Sequence, residues 1–306
     1  MTEHSAPERP VASPLTNPRA DRVRQVARLA GRSARRRSGQ FLVEGPQSVR
    51  EALLAHLGRG PAAAETLWRA GAVLDQLYYS ARLVERDPEW GRLVAQARAT
   101  SAAGSPGLRL RVQEADDAVL TAMSDAQTAQ GIIAVAQQPA PRSLEDVLAH
   151  DARLVAVLCR IQDPGNAGTI LRAADAAGAD AVVLLEDSVD PFNPKVVRST
   201  AGSLFHLPVV VGAELEPTAR LMRARGLQVW AAAGEASDTV ASLPAEALRA
   251  PTAWLFGNEA HGLSEQERAS ADRAVAVPLY GAAESLNVGT AATVCLYSSA
   301  MTQHPS

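Results

Sequence analysis

Cys159 and Cys295 are the only cysteines in the 306-residue chain, and each sits in an apolar run. That excludes a disulfide framework and a thiolate metal cluster. The six histidines show no metal-ligand spacing, so no metal is expected. A long uninterrupted apolar run is also missing. In the stretch from Ser285 onward, which carries no Asp, Glu, Lys or Arg, Ser, Asn, Gly and Thr break the run well short of the ~20 apolar residues of a membrane span. No signal peptide is visible, so a cytoplasmic protein without a membrane partner is expected. Lysine is nearly absent too: Lys195 is the single one, and every other basic residue is Arg, the better bidentate ligand for phosphate. The chain has no GxGxxG, which argues against a plain dinucleotide-binding oxidoreductase, and no GxSxG elbow, which argues against a Ser hydrolase.

What is present is an α/β pattern with its positive charge at one end. A length of 306 residues and 47% hydrophobic content suit roughly two domains with sizeable cores. The net charge of −3 by itself points to neither a nucleic-acid nor a membrane partner. Yet residues 1–40 hold nine Arg against three acids. Residues 1–13, rich in Pro, Ser and Ala, read as a disordered tail. From Asp21 to Arg37, Val23, Val26, Ala27 and Leu29 or Ala30 form a helical apolar stripe, and Arg22, Arg24, Arg28, Arg32, Arg35, Arg36 and Arg37 cover the rest. Such a face is either solvated or a contact for RNA or phosphate.

Strands are predicted at Phe41–Gly45, Leu77–Tyr79, Leu108–Val112 and Gly131–Ala136. Helices are predicted at Ser48–Leu57, Leu83–Ala97 and Ala115–Met123. The alternation indicates a small α/β domain, closed by the linker-like Gln137–Arg142, with a boundary near 140. The second half alternates again. Leu154–Cys159 is a continuous apolar run, as in a parallel strand buried on both faces. A loop, 160–167, leads to a helix carrying Ile170, Leu171, Ala174 and Ala177, and Ala181–Leu185 completes a βαβ unit. Further strands are expected at Leu207–Val211, Gln228–Ala232, Ala253–Phe256 and Ala274–Val277. Ser264 and Glu267 stand in capping-box positions for a helix over 265–271.

Three strand ends carry polar groups at Gly- or Asn-rich turns. The first is Asp163-Pro-Gly-Asn166-Ala-Gly168-Thr-Ile-Leu-Arg172, where Arg172 either snorkels outward or acts on a ligand. The second is Gly257-Asn-Glu259-Ala-His261-Gly262. Its Glu259 and His261 are candidate acid/base groups, and Glu259 alternatively accepts backbone N–H bonds within the turn. The third runs from Pro278 through Ser285 and Asn287 into an uncharged helix. It is either a core helix with Ser285 as N-cap or the floor of a pocket. Open α/β sheets bind ligands at the C-terminal ends of their strands, so the three corners are expected to converge.

Together, Asn166-x-Gly-x-x-x-Arg172, Gly257-Asn-Glu259-x-x-Gly262 and Ser285-Leu-Asn287-Val resemble the three motifs of the SpoU (TrmH) family of RNA ribose 2'-O-methyltransferases, in the same order. Asp190-Pro-Phe-Asn-Pro-Lys195-Val-Val-Arg198 is similar to the family's segment between the first two motifs. The resemblance covers roughly residues 144–302. A weaker one over 14–138, through Phe41-Leu-Val-Glu-Gly and Gln130-Gly-Ile-Ile-Ala, points to the family's N-terminal RNA-binding domain. Departures are small: Ala260 stands where Gly is commoner, and Gly289-Thr replaces larger or hydroxyl residues.

The resemblance implies a knotted fold, which neither composition nor periodicity shows. Residues 140–306 would form a parallel-sheet SPOUT domain with a C-terminal trefoil knot holding S-adenosylmethionine, and 14–139 a small ribosomal-protein L30e-like α/β domain that binds the RNA substrate. A homodimer with sites at the subunit interface is implied as well. By resemblance the catalytic residues are Arg172, Asn166, Glu259, Ser285 and Asn287, and Gly257, Val277, Leu279 and Leu286 carry the cofactor. Arg35, Arg36, Arg37, Lys195 and Arg198 are the candidate RNA contacts. Ribosomal RNA is favoured over transfer RNA as substrate. The competing readings are a transfer-RNA 2'-O-methyltransferase and a non-catalytic RNA-binding protein on the same fold.

Overall fold

In the computed structural model the residues described are 13–61, 68, 72–103, 110–148 and 151–304. Residues 1–12 of the expected tail lie outside them. Two sheets organise the rest.

The first sheet is four-stranded, with order β1-β4-β2-β3: β1 (Gln40–Glu44), β2 (Leu74–Tyr79), β3 (Arg111–Glu114) and β4 (Ile132–Gln137). β4 runs antiparallel to β1 and β2, and β3 runs parallel to β2. Around it lie α1 (Asp21–Ala27), α2 (Arg32–Ser38), α3 (Pro46–His56), α4 (Ala81–Arg86), α5 (Pro88–Ala103) and α6 (Asp117–Met123). The expected single helix over 83–97 is two, because Pro88 cannot continue a helix: it removes an N–H and clashes with the preceding turn. The Arg-rich segment is likewise broken, at Gly31, whose backbone is extended. The strand expected at 108–112 is β3, three residues later; Leu108 and Arg109 lie outside the described residues.

The second sheet is six-stranded and parallel throughout, with order β10-β8-β9-β5-β6-β7. Its strands are β5 (Leu154–Leu158), β6 (Ala181–Leu185), β7 (Val209–Ala213), β8 (Gln228–Ala232), β9 (Thr252–Phe256) and β10 (Arg273–Val275). Every residue of β5, β6 and β9 is buried, which is why these strands read as unbroken apolar runs. β7 begins two residues later than expected because Pro208, lacking an N–H, precedes it.

Helices cover both faces of this sheet: α7 (Leu144–Val147), α8 (Pro164–Ala176), α9 (Pro194–Ser199), α10 (Leu215–Ala224), α11 (Ala245–Arg249), α12 (Glu265–Ala269) and α13 (Val288–Gln303). One core joins Ile170 and Leu171 of α8 to Cys295 and Leu296 of α13. The other joins Ala219 and Met222 of α10 to Val155 and Leu255. Trp254 anchors the first: its ring meets Trp230 edge-on at 5.2 Å, and its Nε1–H donates to the buried Ser299 hydroxyl at 3.0 Å. That bond explains how a buried indole N–H is satisfied in an apolar layer.

The two sheets share a core. Val197, Leu204 and Phe205, which follow β6, are buried among Phe41, Trp68 and Leu53. Phe192 lies 4.9 Å from the Phe41 ring. Polar ties reinforce the junction: the Ser48 hydroxyl donates to the Val197 carbonyl at 3.3 Å, and Glu51 reaches His206 at 3.1 Å.

Candidate active site

The ends of β5, β9 and β10 lead into the three corners, and the corners meet. Between the second and third corners and the end of β8 lies a cavity of about 570 Å³, within the range of small-molecule sites. Gly257, Val277, Leu279 and Leu286 all line it, as do Glu259 and Ser285. Gly257 is there for close approach. A Cβ added to it would stand 2.3 Å from the Gly262 carbonyl carbon and 2.3 Å from the Leu263 nitrogen. The turn from 257 to 263 therefore closes on itself backbone to backbone.

The residues expected in the first loop sit in a helix. α8 begins at Pro164, capped by Asp163, whose Oδ1 accepts from the Asn166 N–H at 2.8 Å. Pro at this position is already set at a helical φ, and its missing N–H is not needed. Asn166 thus stands on the first turn of α8. The third corner also differs from expectation. The cap of α13 is Asn287, not Ser285: Asn287 Oδ1 accepts from Gly289 N at 2.9 Å and Thr290 N at 3.3 Å. Ser285 is exposed, in the turn before the helix, and its side chain makes no hydrogen bond with a described residue.

That cap orients a chain of side chains. With Asn287 Oδ1 committed to the helix, its Nδ2 faces out and donates to Asn166 Oδ1 at 2.9 Å. Asn166 must then present Nδ2 to Glu259, and donates to Oε1 at 3.2 Å. Each amide has two Nδ2 protons, so each keeps one for a ligand. Glu259 also accepts from the Asp163 N–H at 3.0 Å and the Gln162 N–H at 3.3 Å. Burial pushes its carboxyl up, but donors outweigh that: its own backbone N–H, then Asp163, Asn166 and Gln162 hold it below the usual carboxylate range. Through these bonds Glu259 ties the second corner to the first. Gly289 lets the chain close, since an added Cβ would meet Thr169 Cγ2 at 2.9 Å.

Arg172 does not join this cluster. It lies six residues past Asn166 on α8, about 9 Å further along the helix axis. It is exposed, lies away from the cavity lining, and makes no hydrogen bond with any described residue.

Among the candidate RNA contacts, Arg36, Arg37 and Lys195 are exposed. Arg35 is not: its side chain is 2% exposed and paired with Asp190 at 2.7 Å, so it is withdrawn from any RNA surface. Arg198 is also committed elsewhere, to the buried Glu44 and to Asp125 at 3.1 Å. In both cases a carboxylate more than 70 residues away in sequence claims the charge.

Two features escaped the sequence reading. Arg160, at the end of β5, has a left-handed backbone (φ 56). Its guanidinium grips Glu267 through Nε at 2.9 Å and Nη2 at 2.6 Å, and its carbonyl accepts from Asn258 Nδ2 at 3.0 Å. Glu267 meanwhile closes the capping box with Ser264 at the start of α12, so Arg160 braces the first corner on the second. No motif marks Arg160; Glu267 was visible only as a cap. Glu235 and Glu284 also line the cavity. Glu235 is paired with Arg268, whereas Glu284 makes no hydrogen bond with a described residue.

Residues 153–297 match the SpoU rRNA Methylase family, and residues 20–134 match the MRM3-like substrate binding domain. The chain is 32% identical over 277 residues to a Bacillus subtilis protein named 23S rRNA (guanosine(2553)-2'-O)-methyltransferase RlmP, covering 90% of this chain and 94% of that one. It is 30% identical to a Streptomyces viridochromogenes 23S rRNA (uridine(2479)-2'-O)-methyltransferase, covering 94% and 92%. The structure of an AdoMet-bound rRNA methyltransferase from Sinorhizobium meliloti superposes with a TM-score of 0.73 at 26% identity, covering 94% of this chain and 97% of that one.

Proposed function

The chain belongs to the SpoU rRNA methylase family, and from that premise we propose that it transfers the methyl group of S-adenosylmethionine to a ribose 2'-hydroxyl of ribosomal RNA. The observation that carries the proposal is the Glu259–Asn166–Asn287 chain of hydrogen bonds beside the cavity. The cavity suits the cofactor: it is of small-molecule size, with apolar walls at Val277, Leu279 and Leu286 and a backbone wall at Gly257 that any side chain would disturb. When bound, S-adenosylmethionine supplies an electrophilic methyl on a sulfonium. The chemistry it would supply is transfer of that methyl to the ribose oxygen, the C–S electron pair staying on sulfur and the hydroxyl proton passing to solvent water.

The residues of this chain align and polarise. The spare Nδ2 protons of Asn166 and Asn287 orient the ribose hydroxyl and the adjacent phosphate, and Ser285 hydrogen-bonds the phosphate. Arg172, exposed on α8 beyond this cluster, would clamp the RNA phosphate only where the bound strand extends along α8 to reach it; a guanidinium is a bidentate donor that does not deprotonate and so cannot serve as base. Glu259 holds the amides in place. Residues 14–139 bind the RNA, with Arg36, Arg37 and Lys195 as contacts, and residues 140–306 carry out the transfer.

The finer shape in this reading is a trefoil knot over an L30e-like N-terminal domain. Its support is the path of the chain. From β9 in the middle of the sheet it runs to β10 at the edge, then returns through 276–287 to α13, which packs on α8, β5 and β9. A homodimer is also part of the reading, supported by apolar Tyr297 and Met301 of α13, 37% and 68% exposed.

The test is transfer of labelled methyl from S-adenosylmethionine to ribosomal RNA, with Arg172→Ala beside the wild type. Transfer is expected to vanish in the variant while cofactor affinity by calorimetry stays near wild type. Lost cofactor binding would refute the role given to Arg172, and no transfer by the wild type to ribosomal or transfer RNA would refute enzymatic activity.

A further inference from the structure

Arg35 is the largest charged side chain buried among the described residues, at 2% exposure, and four of its five N–H donors are used. Nε and Nη2 both donate to Asp190 Oδ2, at 3.0 and 2.7 Å. Nη1 donates to the carbonyls of Leu29 and Ala30, at 2.9 and 2.6 Å. Asp190 is held in turn, its Oδ1 accepting from Phe192 N at 2.9 Å. The pair joins α2, in the N-terminal unit, to the loop after β6, in the parallel-sheet unit.

That loop borders the first corner of the active site. Val189 N donates to the Ile161 carbonyl at 2.8 Å, the Gln162 side chain donates to the Asp187 carbonyl, and Gln162 N donates to Glu259. Arg35 is thus linked to Glu259 through the loop after β6, the hydrogen bonds that loop makes to Ile161 and Gln162 after β5, and the Gln162 N–H. On α2 itself Arg32, Arg36 and Arg37 are exposed, and none bonds to a described residue. Arg32 and Arg36, four apart, share a helix face.

A buried ion pair is a poor way to gain stability, because a well-packed apolar pair of similar volume does as well or better. What the pair adds is direction. With five donors in a rigid fork, Arg35 admits one orientation of α2 against Asp190. We infer that Arg35 and Asp190 form a docking clamp that holds the arginine face of α2 at a set position relative to the methyl-transfer site, so that RNA gripped by Arg32, Arg36 and Arg37 presents its target ribose there. Arg35 is thus a positioning residue that acts through its neighbours. The inference rests on the RNA methyltransferase reading above.

The test is a double-mutant cycle on RNA kinetics. One arm is Arg35→Leu/Asp190→Leu, an apolar replacement that keeps the junction filled. The other is Arg36→Ala/Arg37→Ala. The apolar variant is expected to melt close to wild type and to bind S-adenosylmethionine equally well, with KM for RNA raised about tenfold. Adding the second pair of substitutions in that background should raise KM by less than about twofold, against about tenfold in the wild type, since coupled sites do not add. Full activity on RNA in the apolar variant, or effects that multiply, would overturn the clamp. If the apolar pair does not fold, Asp190→Asn, which preserves volume, carries the same cycle. Failure of the wild type to methylate any RNA would count against the enzymatic reading and not against the clamp, for which RNA dissociation constants then complete the cycle.

Discussion

Replacing Gly257 by Ala adds one methyl group where no side chain can yield. The new Cβ would stand 2.3 Å from both Gly262 C and Leu263 N and 2.6 Å from Gly262 O. All three are backbone atoms. Ordinary contact begins near 3.4 Å, so the turn must open by about 1.1 Å. The turn is also a wall of the cavity. Binding the cofactor in its wild-type position would require the variant to restore the closed turn and take up the overpacking strain, about 1–3 kcal/mol. At about 1.4 kcal/mol per tenfold, S-adenosylmethionine affinity should fall roughly 5- to 150-fold, measured by calorimetry. Gly91→Ala is the matched control: the same methyl, in α5, would lie 3.7 Å from the Val84 carbonyl oxygen, an ordinary contact. Its helix should gain about 0.5–1 kcal/mol, with cofactor affinity unchanged. A dissociation constant for Gly257→Ala within twofold of wild type would refute the reasoning, because the turn could then relax without reshaping the site.

Arg36→Ala/Arg37→Ala should weaken RNA binding and flatten its salt dependence, each lost phosphate contact lowering the log–log slope by about 0.7–0.9; an unchanged slope would mean that these arginines are merely solvated. His206 should make stability depend on pH. Asp175 at 2.8 Å and Glu51 at 3.1 Å flank its ring and push its pKa from 6.5 up to about 9. Because the folded-state value is the higher one, the stabilisation is complete below about pH 6.5 and is lost as pH rises through about 9. His206→Gln should flatten that fall in melting temperature; equal slopes in variant and wild type would show that the ring contributes nothing.

Where an element's own residues decide its shape, the sequence was readable. β5, β6 and β9 announce themselves as apolar runs because both faces are covered. The Ser264–Glu267 capping box is local and was visible as such. α10 went unread although Thr218, Ala219 and Met222 give it a buried stripe; the signal was there, interrupted by Pro217 near its start. Caps were harder. Ser285 and Asn287 are both good N-cap residues, and only the folded backbone, where Asn287 Oδ1 accepts from Gly289 N and Thr290 N, shows which one the helix uses. Strand ends could be found by pattern, but neighbours in the sheet could not. Asn166 and Asn287 are 121 residues apart, and the order β10-β8-β9-β5, which periodicity does not encode, puts their corners on one edge.

The misreading of Arg35 has a physical lesson that extends beyond it. Charge density along residues 22–37 suggested one uniform arginine face, yet α2, Arg-Ser-Ala-Arg-Arg-Arg-Ser, has a single apolar side chain, Ala34. A seven-residue helix is too short to hold its shape alone. It persists only by packing, and packing requires that it bury something. With no Leu, Ile or Val available, one arginine had to turn inward, and an inward arginine requires a carboxylate. The need for a distant acid was therefore implicit in α2; its identity, Asp190, was not. Arg198 is a different case: α9 buries Val196 and Val197, and Arg198, 26% exposed, is claimed by the buried carboxylate Glu44. In short basic helices without an apolar stripe, the question to put to each arginine is which one the fold must bury, before any is assigned to RNA.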